Sequence, residues 1–138
     1  MRSAAFRAPA RFDETWRAQV EAMPLDRELK AALLDPTRVW EALHGLPTPL
    51  ARRCHANTHT TFSPNVAHGG QKTNIVPDVV DVDVDIRTVP GTTAAEVAGY
   101  LHEALGDLAP DVEISPLQDA DATASPATSR LWDVLASN

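Results

Sequence analysis

The chain has 138 residues, 43% apolar but only 5% aromatic, which leaves room for one ordinary domain with a mainly aliphatic core. Its net charge of −7 is unevenly divided: residues 1–72 hold ten Lys/Arg against seven acids, and residues 73–138 hold Arg87 and Arg130 against twelve acids. That acidic half excludes a nucleic-acid groove, which needs clustered cations, and the single cysteine, Cys54, excludes an internal disulfide and a metal-finger spacing.

Residues 1–11 read as a polar, proline-containing lead-in with no apolar signal region, and no apolar run approaches the ~18 residues of a membrane span. With one cysteine, this places the expected compartment in the cytoplasm. Residues 12–46 read as short helices. Asp13 caps a segment carrying Trp16, Val20 and Met23, and Pro24 ends it. Asp26 caps a second over Arg27–Leu34. Asp35-Pro36 reads as an N-cap with proline at the first helical position of a third, which Gly45 stops. Leu46-Pro47-Thr48-Pro49 reads as a linker, because proline also restricts the residue before it.

From Arg52 to Phe62 loose alternation rich in threonine predicts a strand, and Ser63–Lys72 a turn or loop. Val79–Arg87 is the clearest strand. Val80, Val82, Val84 and Ile86 share one face, and Asp81, Asp83, Asp85 and Arg87 the other, so one side is expected to be buried. After Val89-Pro90-Gly91, Thr93 and Glu96 form a capping box for a helix to Leu105, with Ala94, Val97, Leu101 and Leu105 as its stripe and Gly106 as its stop. Val112–Ile114 predicts a short strand, 118–127 a polar loop, and Ser129–Ala136 a last helix. The order suits a two-layer α+β domain with an antiparallel sheet and helices on one face.

Most chemical signals have simple structural explanations. Asp81, Asp83 and Asp85 lack the glycine and the glutamate of a calcium loop, and on a strand alternate carboxylates stand about 6.6 Å apart, so they read as a solvated face. His55 and His59 on a strand would sit about 13 Å apart, too far for one zinc ion, whose ligands each lie roughly 2 Å from it. His44 reads as a partner for a helix C-terminus. No serine triad or phosphate loop has recognisable flanks.

One combination stands apart. Gly69-Gly70, then Asn74, then Pro77, then an alternating strand ending Asp85-Ile86-Arg87, then Pro90-Gly91 and a helix, resembles the lid or dimerisation domain of the zinc-dependent aminoacylase, desuccinylase and glutamate-carboxypeptidase group, peptidase family M-twenty. The match runs from about Thr58 to Ile114, and more weakly into Ala124-Ser125-Pro126 and Leu131-Trp132. The resemblance implies a ferredoxin-like lid over residues 12–118, with 12–50 as a helical layer carrying an insertion and 119–138 as the return to a catalytic domain. It implies a homodimer paired through an edge strand, and a small peptide or N-acyl amino acid as substrate. Gly69 and Gly70 would let backbone approach that substrate, the Asn74 amide would bond near its scissile carbonyl, and Arg87 would hold its carboxylate, a shape its fork fits.

The departures carry weight too. The family's His-x-Asp motif and Glu-Glu pair are not in this sequence, so its two zinc ions would be held by a catalytic domain outside these residues and none by this chain. The lid's first, central strand is not found either, which would leave the strand near 111–115 without a neighbour. The alternative is a stand-alone ferredoxin-like module that self-associates without catalysis.

Overall fold

The computed structural model describes residues 6–117, 122–124, 133–135 and 137. Its elements are α1 Glu14–Ala22, α2 Arg27–Leu33, α3 Val39–His44, α4 Thr48–Thr58, β1 Thr61–Gly69, β2 Val80–Arg87, α5 Ala94–Leu105 and a 3-10 helix Gly106–Asp111. The chain is α+β with an antiparallel sheet, consistent with part of a ferredoxin-like unit. The return segment 119–138 falls mostly outside the described residues. So does the expected last helix Ser129–Ala136, of which 133–135 are helical.

The first two helices begin where their caps predict. Asp13 and Asp26 sit in extended conformation, and their Oδ1 atoms accept the Trp16 N–H at 2.7 Å and the Leu29 N–H at 2.8 Å. The third does not. Asp35 spends its carboxylate on Thr37, taking the backbone N–H at 2.8 Å and the hydroxyl at 2.7 Å, so a turn precedes α3 and Arg38 becomes its uncapped start. Those bonds, the hydroxyl's first, hold the Asp35 carboxyl below its usual range.

The larger correction is α4. Residues 52–58 are helical, not a strand, and the supposed linker is the helix start. Pro47 is the N-cap and Pro49 the second residue, where no intrahelical N–H is owed. The buried positions Cys54 and Thr58 are four apart, and the Thr58 hydroxyl donates back to the Cys54 carbonyl at 2.8 Å. A 3.6-residue period lies beneath the threonines that suggested alternation.

The core lies among these helices. Trp16, Val20, Leu33, Val39, Leu43 and Cys54 are buried together, with Ala32, Ala42 and Leu46 beside them. The Trp16 indole N–H donates to the Leu33 carbonyl at 3.1 Å and ties α1 to α2. Burial also pushes the Cys54 thiol up.

The hairpin is built differently. β1 occupies residues expected to be loop; Ser63-Pro64-Asn65 does not turn the chain but bulges, leaving Asn65 without a Cα partner between Pro64↔Val84 and Val66↔Asp83. The valine face forms, but it is not buried. Val80, Val82 and Val84 remain 57%, 51% and 38% exposed, and only Ile86 is half-covered. The expected strand at Val112–Ile114 makes no ladder; it follows the 3-10 helix as irregular chain, and the sheet has two strands among the described residues.

Helix α5 begins with the full capping box: the Thr93 hydroxyl accepts from Glu96 N–H at 3.2 Å, and Glu96 accepts from Thr93 N–H at 2.8 Å. Its stripe residues Val97, Leu101 and Leu105 are half-buried and none is fully buried. With so little burial behind it, the cap carries much of this helix. Thr93→Ala should cost about 1 kcal/mol locally. Amide exchange across residues 94–100 should accelerate severalfold while α1–α4 exchange is unchanged.

The lead-in proves structural. Phe6 lies against Phe62 and Tyr100, with ring centroids 6.1 and 5.8 Å apart. The Arg11 backbone N–H donates to the Thr58 carbonyl at 2.8 Å, and its guanidinium reaches the Gly91 carbonyl and the Glu96 carboxylate. Thus residues 6–12 stitch the helical cluster to the start of α5. Glu96 is held ionised by the Thr93 N–H first and by Arg11 and the Thr93 hydroxyl next.

Candidate functional site

The hairpin turn is shaped by its two glycines. A Cβ on Gly69 would meet Val80 Cγ2 at 2.9 Å, so a side chain here would force the Val80 side chain to shift. Gly70 adopts φ +72°, the left-handed region that glycine enters freely. The chain then loops through residues 71–79, where the Ile75 N–H reaches the Lys72 carbonyl at 3.3 Å. An open recess of about 450 Å³ lies between Gly70–Lys72 and Ile75–Val79. Asn74 is exposed and is not part of its lining; its side chain makes no hydrogen bond among the described residues, so it does not brace its own turn.

Arg87 stands at the far end of β2, opposite Thr61. Its Nε donates to Asp85 Oδ2 at 3.0 Å, with the side chain 81% exposed. A pair this open holds weakly, so another carboxylate can take its place. Gly69, Gly70 and Asn74 therefore cluster at one end of the hairpin and Arg87 lies at the other. The seven residue steps of β2 between Val80 and Arg87 amount to roughly 23 Å. One hairpin does not bring Asn74 and Arg87 onto a single small molecule.

A second cluster was hidden by reading residues 52–62 as a strand. His55 on α4 and the C-cap residue His59 are one turn apart and stack, with centroids 4.7 Å apart and planes at 14°, not separated along an extended chain. Trp40 makes T-shaped ring contacts with His44, His55 and His59, and the Arg7 guanidinium lies 4.1 Å over the Trp40 ring. The Thr58 hydroxyl is 2.8 Å from His59 Nδ1. Because that hydroxyl gives its hydrogen to the Cys54 carbonyl, Nδ1 is the donor and Nε2 carries the lone pair. Burial, and then the neighbouring His55, lowers the His59 pKa to about 4; burial lowers that of His55 as well. The signal for this cluster was His55-x-x-x-His59, a four-residue spacing that brings side chains together only on a helix.

No three His, Cys, Asp or Glu side chains converge as a metal site among the described residues. These side chains therefore do not fit the two zinc ions that the family resemblance implies.

The described chain thus combines an exposed two-stranded hairpin with a helical core. The model of the peptidase dimerisation domain matches residues 5–113, and the chain belongs to that family. It is thus a dimerisation segment of a peptidase. No curated protein and no solved structure matches the chain.

Proposed function

We propose that this chain is the lid and dimerisation segment of a zinc metallohydrolase that cleaves the amide bonds of acylated amino acids or small peptides, positioning substrate while a catalytic domain holds the metal. Family membership across residues 5–113 carries the reading. The exposed hairpin supports it, because such an edge can add strands from a second copy. In this reading zinc ions, which residues of a catalytic domain would hold, would supply the Lewis-acid chemistry of amide hydrolysis. The residues of this chain bind and orient. Asn74 offers an unpaired amide to the substrate backbone, and Arg87 exchanges Asp85 for a substrate carboxylate. The roughly 23 Å spanned by β2 keeps the two off one small substrate within a single copy, so each acts at its own end of the hairpin.

Two measurements test the reading. Light scattering on the purified chain should give the mass of a dimer, and a strict monomer would overturn the pairing. Zinc-dependent hydrolysis by this chain alone would sink its role as a segment that only positions substrate. In an assembled enzyme carrying this lid, Arg87→Ala should raise KM about tenfold for substrates with a free carboxylate, the loss of one exposed charge-assisted contact. Amidated analogues should be unaffected. An equal KM for both substrate classes in wild type and variant would remove Arg87 from the site.

A further inference from the structure

We infer that His55 and His59 form a binding site for one divalent transition-metal ion, with the two imidazoles as ligands and water completing the shell. On a strand these residues would stand too far apart to share an ion. The helix reverses that. His55 lies on α4 and His59 caps its end one turn later, with the ring centroids 4.7 Å apart. Two histidines at this spacing on one helical face can hold a single zinc ion. The stronger observation is the state of His59, which is 5% exposed. Its Nδ1 donates to the Thr58 hydroxyl at 2.8 Å, and that hydroxyl donates in turn to the Cys54 carbonyl. Nε2 therefore carries the lone pair, and it has no hydrogen-bond partner among the described residues. It is not sealed in, because no described side-chain nitrogen is both enclosed and unpaired. A ring buried on nearly every side thus keeps one unused acceptor open to solvent. Metal-binding histidines are held in this way: one nitrogen donates to an outer partner, which fixes the ring, and the other faces the ion.

His55 supplies the second ligand. It is half-buried, and neither of its ring nitrogens makes a hydrogen bond among the described residues. Nitrogens on one zinc ion lie about 2.0–2.1 Å from it, which sets them roughly 3.3 Å apart in a tetrahedral shell. Planes only 14° apart do not aim two lone pairs at one point. His55 reaches the ion by turning about its terminal torsion, which is broad and soft, and no hydrogen bond holds the ring back. Burial lowers the pKa of both rings, so each is neutral at pH 7 and no proton has to leave before the ion binds. Imidazole suits zinc, nickel and copper; magnesium and calcium take oxygen ligands. His44 touches Trp40 but neither of these two rings, so it is not a third ligand. The site lies on the helical cluster, and the inference does not depend on the function proposed above.

The test titrates the whole chelator-treated chain with copper, zinc or magnesium chloride alone. Isothermal titration should give one ion per chain for copper and zinc, with copper the tighter, and no binding of magnesium. Electron paramagnetic resonance of the copper-bound chain should show nitrogen coupling from two imidazoles. Bound zinc should also raise the Tm, because the paired ligands exist only in the folded chain. His55→Gln and His59→Gln should each weaken binding about a hundredfold or more, beyond what loss of an outer partner costs. His44→Gln should leave it unchanged. Circular dichroism confirms the fold of each variant. No saturable copper binding, coupling from a single imidazole, or wild-type affinity in His55→Gln would each overturn the inference. The resonance measurement uses unmodified protein and stands even if His59→Gln does not fold.

Discussion

Trp16→Ala should leave the helical cluster unfolded or nearly so at room temperature. Trp16 is 1% exposed and lies in the middle of the core formed by α1 to α4. Truncating a buried tryptophan costs about 3–5 kcal/mol through lost burial and the cavity left behind. A domain of this size holds only about 5–15 kcal/mol in total. A second loss compounds the first, because the Leu33 carbonyl gives up its indole donor. Trp16→Phe separates the two effects: it keeps most of the bulk, loses only the N–H, and should cost about 1–2 kcal/mol. Guanidinium titration followed by far-ultraviolet circular dichroism measures both. A Trp16→Ala chain with an unchanged midpoint would mean that this core does not hold the helices together.

The second large effect is acid sensitivity from the histidine stack. His59 is neutral in the fold because burial and its neighbour His55 lower its pKa to about 4, against an ordinary 6.5. The unfolded chain therefore binds a proton that the folded chain resists. The sign follows: stability is full above about pH 6.5, falls as the pH drops, and levels off near pH 4. The loss over that window should be about 2 kcal/mol, allowing for partial solvent access to the stack. His55 shifts in the same direction and adds to the slope. Denaturation midpoints at pH 7, 6, 5 and 4 give the wild-type slope. His59→Gln should flatten it while leaving the contribution of carboxylates below pH 4 in place. An unchanged slope in that variant would assign the acid sensitivity elsewhere.

Where local chemistry decides a boundary, the sequence was readable. Asp13, Asp26 and the Thr93–Glu96 box each begin a helix where they stand, and the Val80–Arg87 alternation forms the strand it describes. Where two local rules compete, reading failed. Pro47 and Pro49 are breakers inside a helix but welcome in its first turn, so the start of α4 looked like a linker. Ser63-Pro64-Asn65 has turn chemistry, yet a bulge absorbs it within β1. The Asp35 carboxylate bonds Thr37 within a turn and leaves α3 without a side-chain cap.

The site was legible in a similar, partial way. The positions of Gly69 and Gly70 follow from what a tight approach and a positive φ demand. Asn74 and Arg87 stand at the loop and the strand end where their motif places them, but only the hairpin's length reveals their separation. The histidine stack was invisible for a specific reason. Assigning a period of two to residues 52–62 turned a 4.7 Å ring contact into neighbours well apart along an extended chain. Nor can alternation say whether a covering layer exists. It marks which face of β2 is apolar and leaves the exposure of Val80 and Val82 to the fold.

The main buried cluster draws its residues from 16–54, which has a consequence for the order of events during synthesis. Its main helix contacts run between successive helices, and such short-range structures form early and quickly. The helical cluster can close while the ribosome is still adding the hairpin, since domains organise from the N-terminal side as they emerge. β1, β2 and α5 then arrive on a scaffold already made, held to it chiefly through Phe6 and Arg11. The last step of maturation is thus left to the hairpin and α5.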